Sequence, residues 1–103
     1  GVTMLDPRQT FVDVTVRLGR DVTIYPGTVL LGWTTIADGC DIGPHTQLGD
    51  CSVGTGSRVR HTVGEGATIG PACDVGPFAH LTAGANLLAG STTGAFYTDV
   101  GDA

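Results

Sequence analysis

Aliphatic residues recur every six positions along most of this chain. Val12, Leu18, Ile24, Leu30, Ile36, Ile42 and Leu48 follow one another at steps of six. The series slips by one residue to Val53, resumes at Val59, slips by two to Val63, and then runs through Ile69, Val75, Leu81 and Leu87. An α-helix cannot use this period, because its apolar stripe returns after about 3.6 residues. An antiparallel sheet would alternate residue by residue and carry hairpin signals such as Asn-Gly; no Asn-Gly occurs.

A second column runs in step with the first. Four residues after each aliphatic stands a small or β-branched residue: Val16, Val22, Thr28, Thr34, Cys40, Thr46, Ser52, Ser57, Ala67, Cys73, Ala79 and Ala85. Gly often follows the aliphatic directly, and Pro often comes next, as at Pro26, Pro44, Pro71 and Pro77. This pattern predicts a short strand and a turn, repeated and stacked as a solenoid. One coil cannot bury its own apolar side, but stacked coils make a continuous core with rungs about 4.8 Å apart. The aliphatic column points inward, the small column fills the tighter corners, and Gly and Pro serve the turns.

Composition narrows the function. The chain has 103 residues and a net charge of −5, and its five basic residues are all Arg. Nothing here could neutralise a run of phosphates, which argues against nucleic acid. The same balance argues against an anionic membrane surface. No apolar stretch reaches the roughly 18 residues a membrane span requires. The first residues have neither a basic start nor an apolar run, and three Cys without CxxC spacing fit a reducing compartment. The expected location is the cytoplasm. The chain begins with Gly rather than Met, which suggests a piece of something longer.

The units LGRDVT, IADGCD, IGPHTQ, VGTGSR, VGEGAT, IGPACD and VGPFAH resemble the hexapeptide repeat of left-handed β-helix acyltransferases. In that family three hexads make one triangular coil, and the left hand comes from the resemblance alone. The fold expected is therefore all-β: a single-stranded left-handed parallel β-helix of about five triangular coils, at 12–29, 30–47, 48–62, 63–80 and 81–98. Residues 1–11 form a lead-in and cap segment, 12–98 the β-helix, and 99–103 a C-terminal tail. The opening GVTMLDPRQTFVDVTVRLGRDVTIYPGTVLLG and the later VGPFAHLTAGANL resemble, more narrowly, the C-terminal domain of the bifunctional N-acetylglucosamine-1-phosphate uridyltransferase/glucosamine-1-phosphate acetyltransferase family, the GlmU type. The resemblance extends to about Phe96.

The departures from that family bear on activity. Its Leu-Arg-Pro-Gly segment, whose Arg holds substrate phosphate, reads Leu81-Thr82-Ala83-Gly84 here, so the Arg position is Thr82. Its Val-Glu-Val-Lys-Asn run, whose Lys contacts the sugar nucleotide, is replaced by Phe96-Tyr97-Thr98-Asp99-Val100-Gly101. The family's catalytic His and acetyl-coenzyme A-binding coils lie beyond Ala103. No catalytic or substrate-binding residue and no resident cofactor is therefore expected. After Leu87 the next aliphatic slots hold Thr93 and Asp99. Thr92, Thr93, Tyr97, Asp99 and Asp102 read as a polar cap at that end, and Asp6, Pro7, Arg8 and Gln9 as one at the other.

Several side chains remain as candidates. His45, His61 and His80 fall on or just after the third hexad of successive coils and could approach one edge of the prism. In γ-class carbonic anhydrases, which resemble this fold, three His bind zinc between subunits. The spacings here lack that family's close His pair, so surface or trimer-face histidines are the preferred reading. Cys40 and Cys73 share the small column with Ser57 between them, about 9–10 Å apart on the rung spacing, too far for a disulfide. Cys51 reads as a turn residue open to solvent. Asp38, Asp41, Asp50, Glu65 and Asp74 read as solvated corner carboxylates. Arg58 and Arg60 could hold an anion or a neighbouring subunit's carboxylate, the subunit contact being preferred. Trp33, Tyr25, Phe78 and Tyr97 break the small-and-aliphatic rule and suggest an interface.

The function expected from these observations is a trimer-forming domain of a GlmU-like sugar-nucleotide enzyme of UDP-N-acetylglucosamine biosynthesis, supplying bacterial cell-wall precursor, and not catalytic by itself. Two alternatives stand beside it: an active acyltransferase with an acetyl-coenzyme A site between subunits, and a γ-carbonic-anhydrase-like metal protein. Ice binding fails, because the outward Thr23, Thr35 and Thr68 form no Thr-x-Thr column.

Overall fold

The computed structural model describes residues 2–94 and 98–99. The six-residue period becomes a strand and a corner, repeated, and every third strand falls in the same sheet. The first sheet holds β1 (Val2–Met4), β4 (Val22–Ile24), β7 (Asp41–Ile42), β10 (Arg58–Val59) and β13 (Asp74–Val75). A second holds β2 (Phe11–Val12), β5 (Val29–Leu31), β8 (Gln47–Gly49), β11 (Thr62–Glu65), β14 (Ala79–Leu81) and β16 (Thr98–Asp99). The third holds β3 (Arg17–Leu18), β6 (Thr35–Ile36), β9 (Ser52–Val53), β12 (Thr68–Ile69) and β15 (Asn86–Leu87). All pairings are parallel and join each strand to its counterpart one coil away. The result is a three-sided parallel β-solenoid of about five turns. A 3-10 turn at Pro7–Gln9 is its only helical element among the described residues, and no described helix is long and apolar enough to cross a membrane.

The core is the aliphatic column. Ile24, Leu30, Ile36, Ile42, Leu48, Val53, Val59, Ile69, Val75, Leu81 and Leu87 are buried, while Val12 and Leu18 at the N-terminal end are only partly covered. Burying one such side chain is worth about 1.5–3 kcal/mol, and the ladder repeats that gain at nearly every rung.

The small column does more than fill corners. The Thr34 hydroxyl donates to the Leu31 carbonyl at 2.8 Å, and that of Thr62 to the Arg60 carbonyl at 2.7 Å. The Cys40 thiol reaches the Gly54 carbonyl of the next coil at 3.1 Å. These groups add donors to corner carbonyls, of which that of Leu31 also accepts the Asp50 N–H at 3.2 Å.

Two expectations fail where the coils shorten. Val63 is not a core residue: it is 47% exposed, and Gly64 takes the inward slot, paired with Leu48 and Leu81. The chain drops one residue on each side of Gly64 rather than two before Val63, so the fourth coil begins at Gly64. The earlier slip, between Leu48 and Val53, moves Cys51 inward and Ser52 outward. Cys51 is 2% exposed and occupies the small column, whereas Ser52 lies exposed on β9.

Thr93 also departs from its expected role. It is buried, and its hydroxyl accepts the Gly76 N–H at 2.9 Å, so it continues the inward ladder with a polar residue instead of facing solvent. Thr92 is exposed and bridges to Asp74. At the other end, Gln9 and Arg8 donate to the Asp6 carboxylate. Tyr97 and Asp102 lie outside the described residues, as does the side chain of Asp99.

Candidate functional site

The residue before each inward aliphatic points outward, so each sheet presents one column to its surroundings. On the third sheet that column is Arg17, Thr35, Ser52, Thr68 and Asn86, polar throughout. On the second it is Phe11, Val29, Gln47, Val63 and His80, without a permanent charge. Phe11 and Val63 are exposed, and Trp33 at the corner after β5 is 73% exposed. On the first sheet the column reads Thr3, Thr23, Asp41, Arg58 and Asp74.

Asp41 and Asp74 are thus strand residues flanking Arg58, not solvated corners. Arg58 Nε lies 3.9 Å from the Asp41 carboxylate, and an Arg60 terminal nitrogen lies 3.5 Å from that of Asp74. The partners of the two arginines come from this chain itself. Tyr25, Asp41, Gly43, Pro44, Arg58 and Arg60 line a cleft of about 360 Å3 at the corner between the first and second sheets. Buried within the Arg60 side chain, Nε has no hydrogen-bond partner.

Next to this cleft runs an aromatic stack. The rings of His45 and His61 have centroids 5.5 Å apart, and those of His61 and Phe78 also lie 5.5 Å apart. All three residues hold the left-handed backbone, with φ of 51°, 44° and 62°. Each N–H reaches back one coil, from His45 to the Pro26 carbonyl, from His61 to that of Pro44 and from Phe78 to that of His61. His80 does not join them: it sits on β14 opposite Val63, and Phe78 holds the third place in the stack. The corner position is the one right after a Gly-Pro pair, held by His45 after Pro44 and by Phe78 after Pro77, whereas His80 is the outward strand residue before the inward Leu81. Among the described residues no group of three or more His, Cys, Asp or Glu could hold a metal ion.

Asp38 and Asp50 do structural work at the other corners. Asp38 accepts the Arg20 N–H at 2.7 Å, and Asp50 accepts the Trp33 N–H at 2.8 Å. Asp13 accepts the Gly32 N–H at 2.9 Å in the same manner. Glu65 ends β11 and is exposed. The three cysteines are free thiols, and all are buried. Burial pushes the Cys40 and Cys51 thiols up, and neighbouring aspartates add to it, while backbone hydrogen bonds oppose it. Neither is an activated nucleophile, which would need a lowered pKa. Thr82 lies just past β14, and its carbonyl accepts the Ala85 N–H at 3.0 Å within the turn.

The bacterial transferase hexapeptide family (six repeats) matches residues 15–50. The bifunctional protein GlmU of Rhodococcus opacus is 52% identical over 96 residues, which is 93% of this chain and 19% of that protein. That of Streptomyces coelicolor is 49% identical over 96 residues, again 93% of this chain and 20% of the relative.

The chain is a hexapeptide-repeat domain of the GlmU C-terminal type.

It spans about a fifth of the length of the curated relatives it matches. Among solved structures, a hexapeptide transferase family protein from Anaplasma phagocytophilum aligns with a TM-score of 0.60 at 20% identity, covering 94% of this chain and 68% of that one. The acetyltransferase domain of PglB from Neisseria gonorrhoeae, in complex with acetyl coenzyme A, aligns with a TM-score of 0.54 at 17% identity, covering 88% and 53%. At these identities the likeness concerns the fold.

Proposed function

We propose that this domain assembles a GlmU-like sugar-nucleotide enzyme as a homotrimer in the bacterial cytoplasm, serving UDP-N-acetylglucosamine and cell-wall precursor synthesis, and does not itself transfer acetyl groups. The observation that carries the assembly role is the second sheet's outer face. Phe11, Val29 and Val63 share one column there, with Trp33 at its corner, whereas the first face carries alternating charges and the third carries hydroxyls. An exposed apolar stripe on one of three faces, the other two having polar outward columns, favours association, and three parallel prisms around one axis give closed symmetry.

The inactive reading rests on the site residues. Thr82 stands where the family places a phosphate-binding Arg, and a neutral hydroxyl cannot replace a guanidinium fork. The acyltransferase alternative draws on neighbours of acetyltransferase fold, and fold alone does not carry activity. The zinc alternative needs three ligands converging, and only His45 and His61 are adjacent.

Two measurements test this. Sedimentation equilibrium of the chain at about micromolar concentration should give three times the monomer mass, and Val63→Asp should lower it; a monomeric wild type sinks the assembly role. Acetyl-coenzyme A with glucosamine-1-phosphate should yield no coenzyme A above background by mass spectrometry. Turnover by the folded chain would establish the acyltransferase reading instead.

A further inference from the structure

We propose that the corner cleft on the first sheet binds a small oxyanion, a carboxylate or a phosphate, with Arg58 and Arg60 as donors. This inference does not rest on the trimer. Two of the five basic residues of a chain with net charge −5 converge on this one cleft. Each guanidinium carries five N–H donors in a fixed fork. Arg58 spends its fork on an Asp41 carboxylate 3.9 Å away, beyond hydrogen-bond length. Arg60 has one contact at 3.5 Å to Asp74, at the edge of that range, and its Nε has no acceptor at all. The donors are gathered, and their internal partners hold them loosely.

The walls define what fits. Asp41 is the one carboxylate among the lining residues, so the lining has an excess of one positive charge. Tyr25 and Pro44 supply an apolar side, and Gly43 contributes backbone alone. A cavity of about 360 Å3 sits at the small end of ligand pockets. A compact acid with two terminal oxygens meets these conditions. It would draw the Arg60 fork away from its unsatisfied position, giving paired charge-assisted hydrogen bonds of the kind guanidinium groups favour.

The test is a titration of the full chain followed by proton–nitrogen NMR, with sodium phosphate in one series and sodium acetate in another, at ionic strength held constant with chloride. The Gly43 amide and the Arg60 Nε–H should shift and saturate. Arg60→Gln should weaken binding about tenfold, the loss expected for a charge-assisted pair. Asp41→Asn removes the competing carboxylate and should tighten it, while Arg17→Gln, on another face, should change nothing. Saturation with phosphate only assigns a tetrahedral ligand, and saturation with acetate only a planar one. Linear shifts without saturation, or equal effects of Arg17→Gln and Arg60→Gln, would overturn the proposal. Should Arg60→Gln fail to fold, an unchanged affinity in Asp41→Asn overturns it as well.

Discussion

Ser57 and Cys73 tie two coils together: the Ser57 hydroxyl accepts the Cys73 N–H at 3.1 Å while donating to the Gly70 carbonyl at 2.7 Å. Both partners are backbone groups on the next coil, and the hydroxyl is buried. Ser57→Ala leaves a donor and an acceptor without partners. The expected cost is about 1–3 kcal/mol, read as a lower urea midpoint with an unchanged slope.

Gly64 and Val63 exchange the roles that periodicity assigns them, and substitution can separate them. Val63→Ser removes an outward side chain and should leave monomer stability within about 0.5 kcal/mol. Ile69→Ala empties an inward slot and should cost about 2–5 kcal/mol. A Cβ on Gly64 would lie 3.1 Å from the tip of Leu48, 3.3 Å from the Cys51 sulfur and 3.7 Å from the Leu81 Cβ. The Leu48 tip can move a few tenths of an ångström, so Gly64→Ala should gain about 0.5 kcal/mol from the lost backbone entropy of glycine in a strand. Gly64→Leu overfills the same space and should cost about 1–3 kcal/mol. Ile69 faces inward in either register, so Val63 decides: a loss of about 2–5 kcal/mol in Val63→Ser, as large as that in Ile69→Ala, would restore Val63 to the core.

Gly76 and Gly39 both adopt positive φ, of 102° and 72°, yet they differ in surroundings. A Cβ at Gly76 collides with the Arg60 carbonyl, whereas nothing lies within 4 Å of one at Gly39. Gly39→Ala should cost about 1–2 kcal/mol from the left-handed backbone alone. Gly76→Ala should cost well beyond that, enough to lose cooperative unfolding by circular dichroism.

The period of six made the architecture legible, because each inward slot advertises itself by an aliphatic residue and each corner by a small one. It failed where the chain drops single residues. At 63 and 64 the inward slot holds glycine, which has no side chain to announce it, and a valine next door imitates the missing rung. A separate one-residue slip between Leu48 and Val53 put Cys51 and Ser52 one residue away from their true slots, and His80 gave way to Phe78 in the stack because it directly precedes the inward Leu81 on β14. The Asp41–Arg58–Asp74 column was hidden for another reason. It depends on which strands become neighbours across a whole coil, and local spacing does not reveal charge partners 14 to 17 residues apart.

Alkaline pH should weaken the fold through its thiols. Burial holds Cys40 and Cys51 protonated above the ordinary thiol value of 9.0. In the unfolded chain these groups ionise first, so above that value the unfolded state binds fewer protons and stability falls as pH rises. Below it their contribution is complete and constant. Urea midpoints at about pH 8 and about pH 10 should differ, and replacing both cysteines with alanine should shrink the difference. An equal drop in the double variant would place the sensitivity elsewhere.

The three outward columns lie on three separate sheets around one shared core. A change on one side therefore reaches the others only through rungs already locked by burial and backbone pairing. Such a prism can be revised one wall at a time: a change on the hydroxyl-bearing third wall leaves the apolar wall free to keep its own partner. Evolution can thus add a second use to this domain without first dismantling the old one.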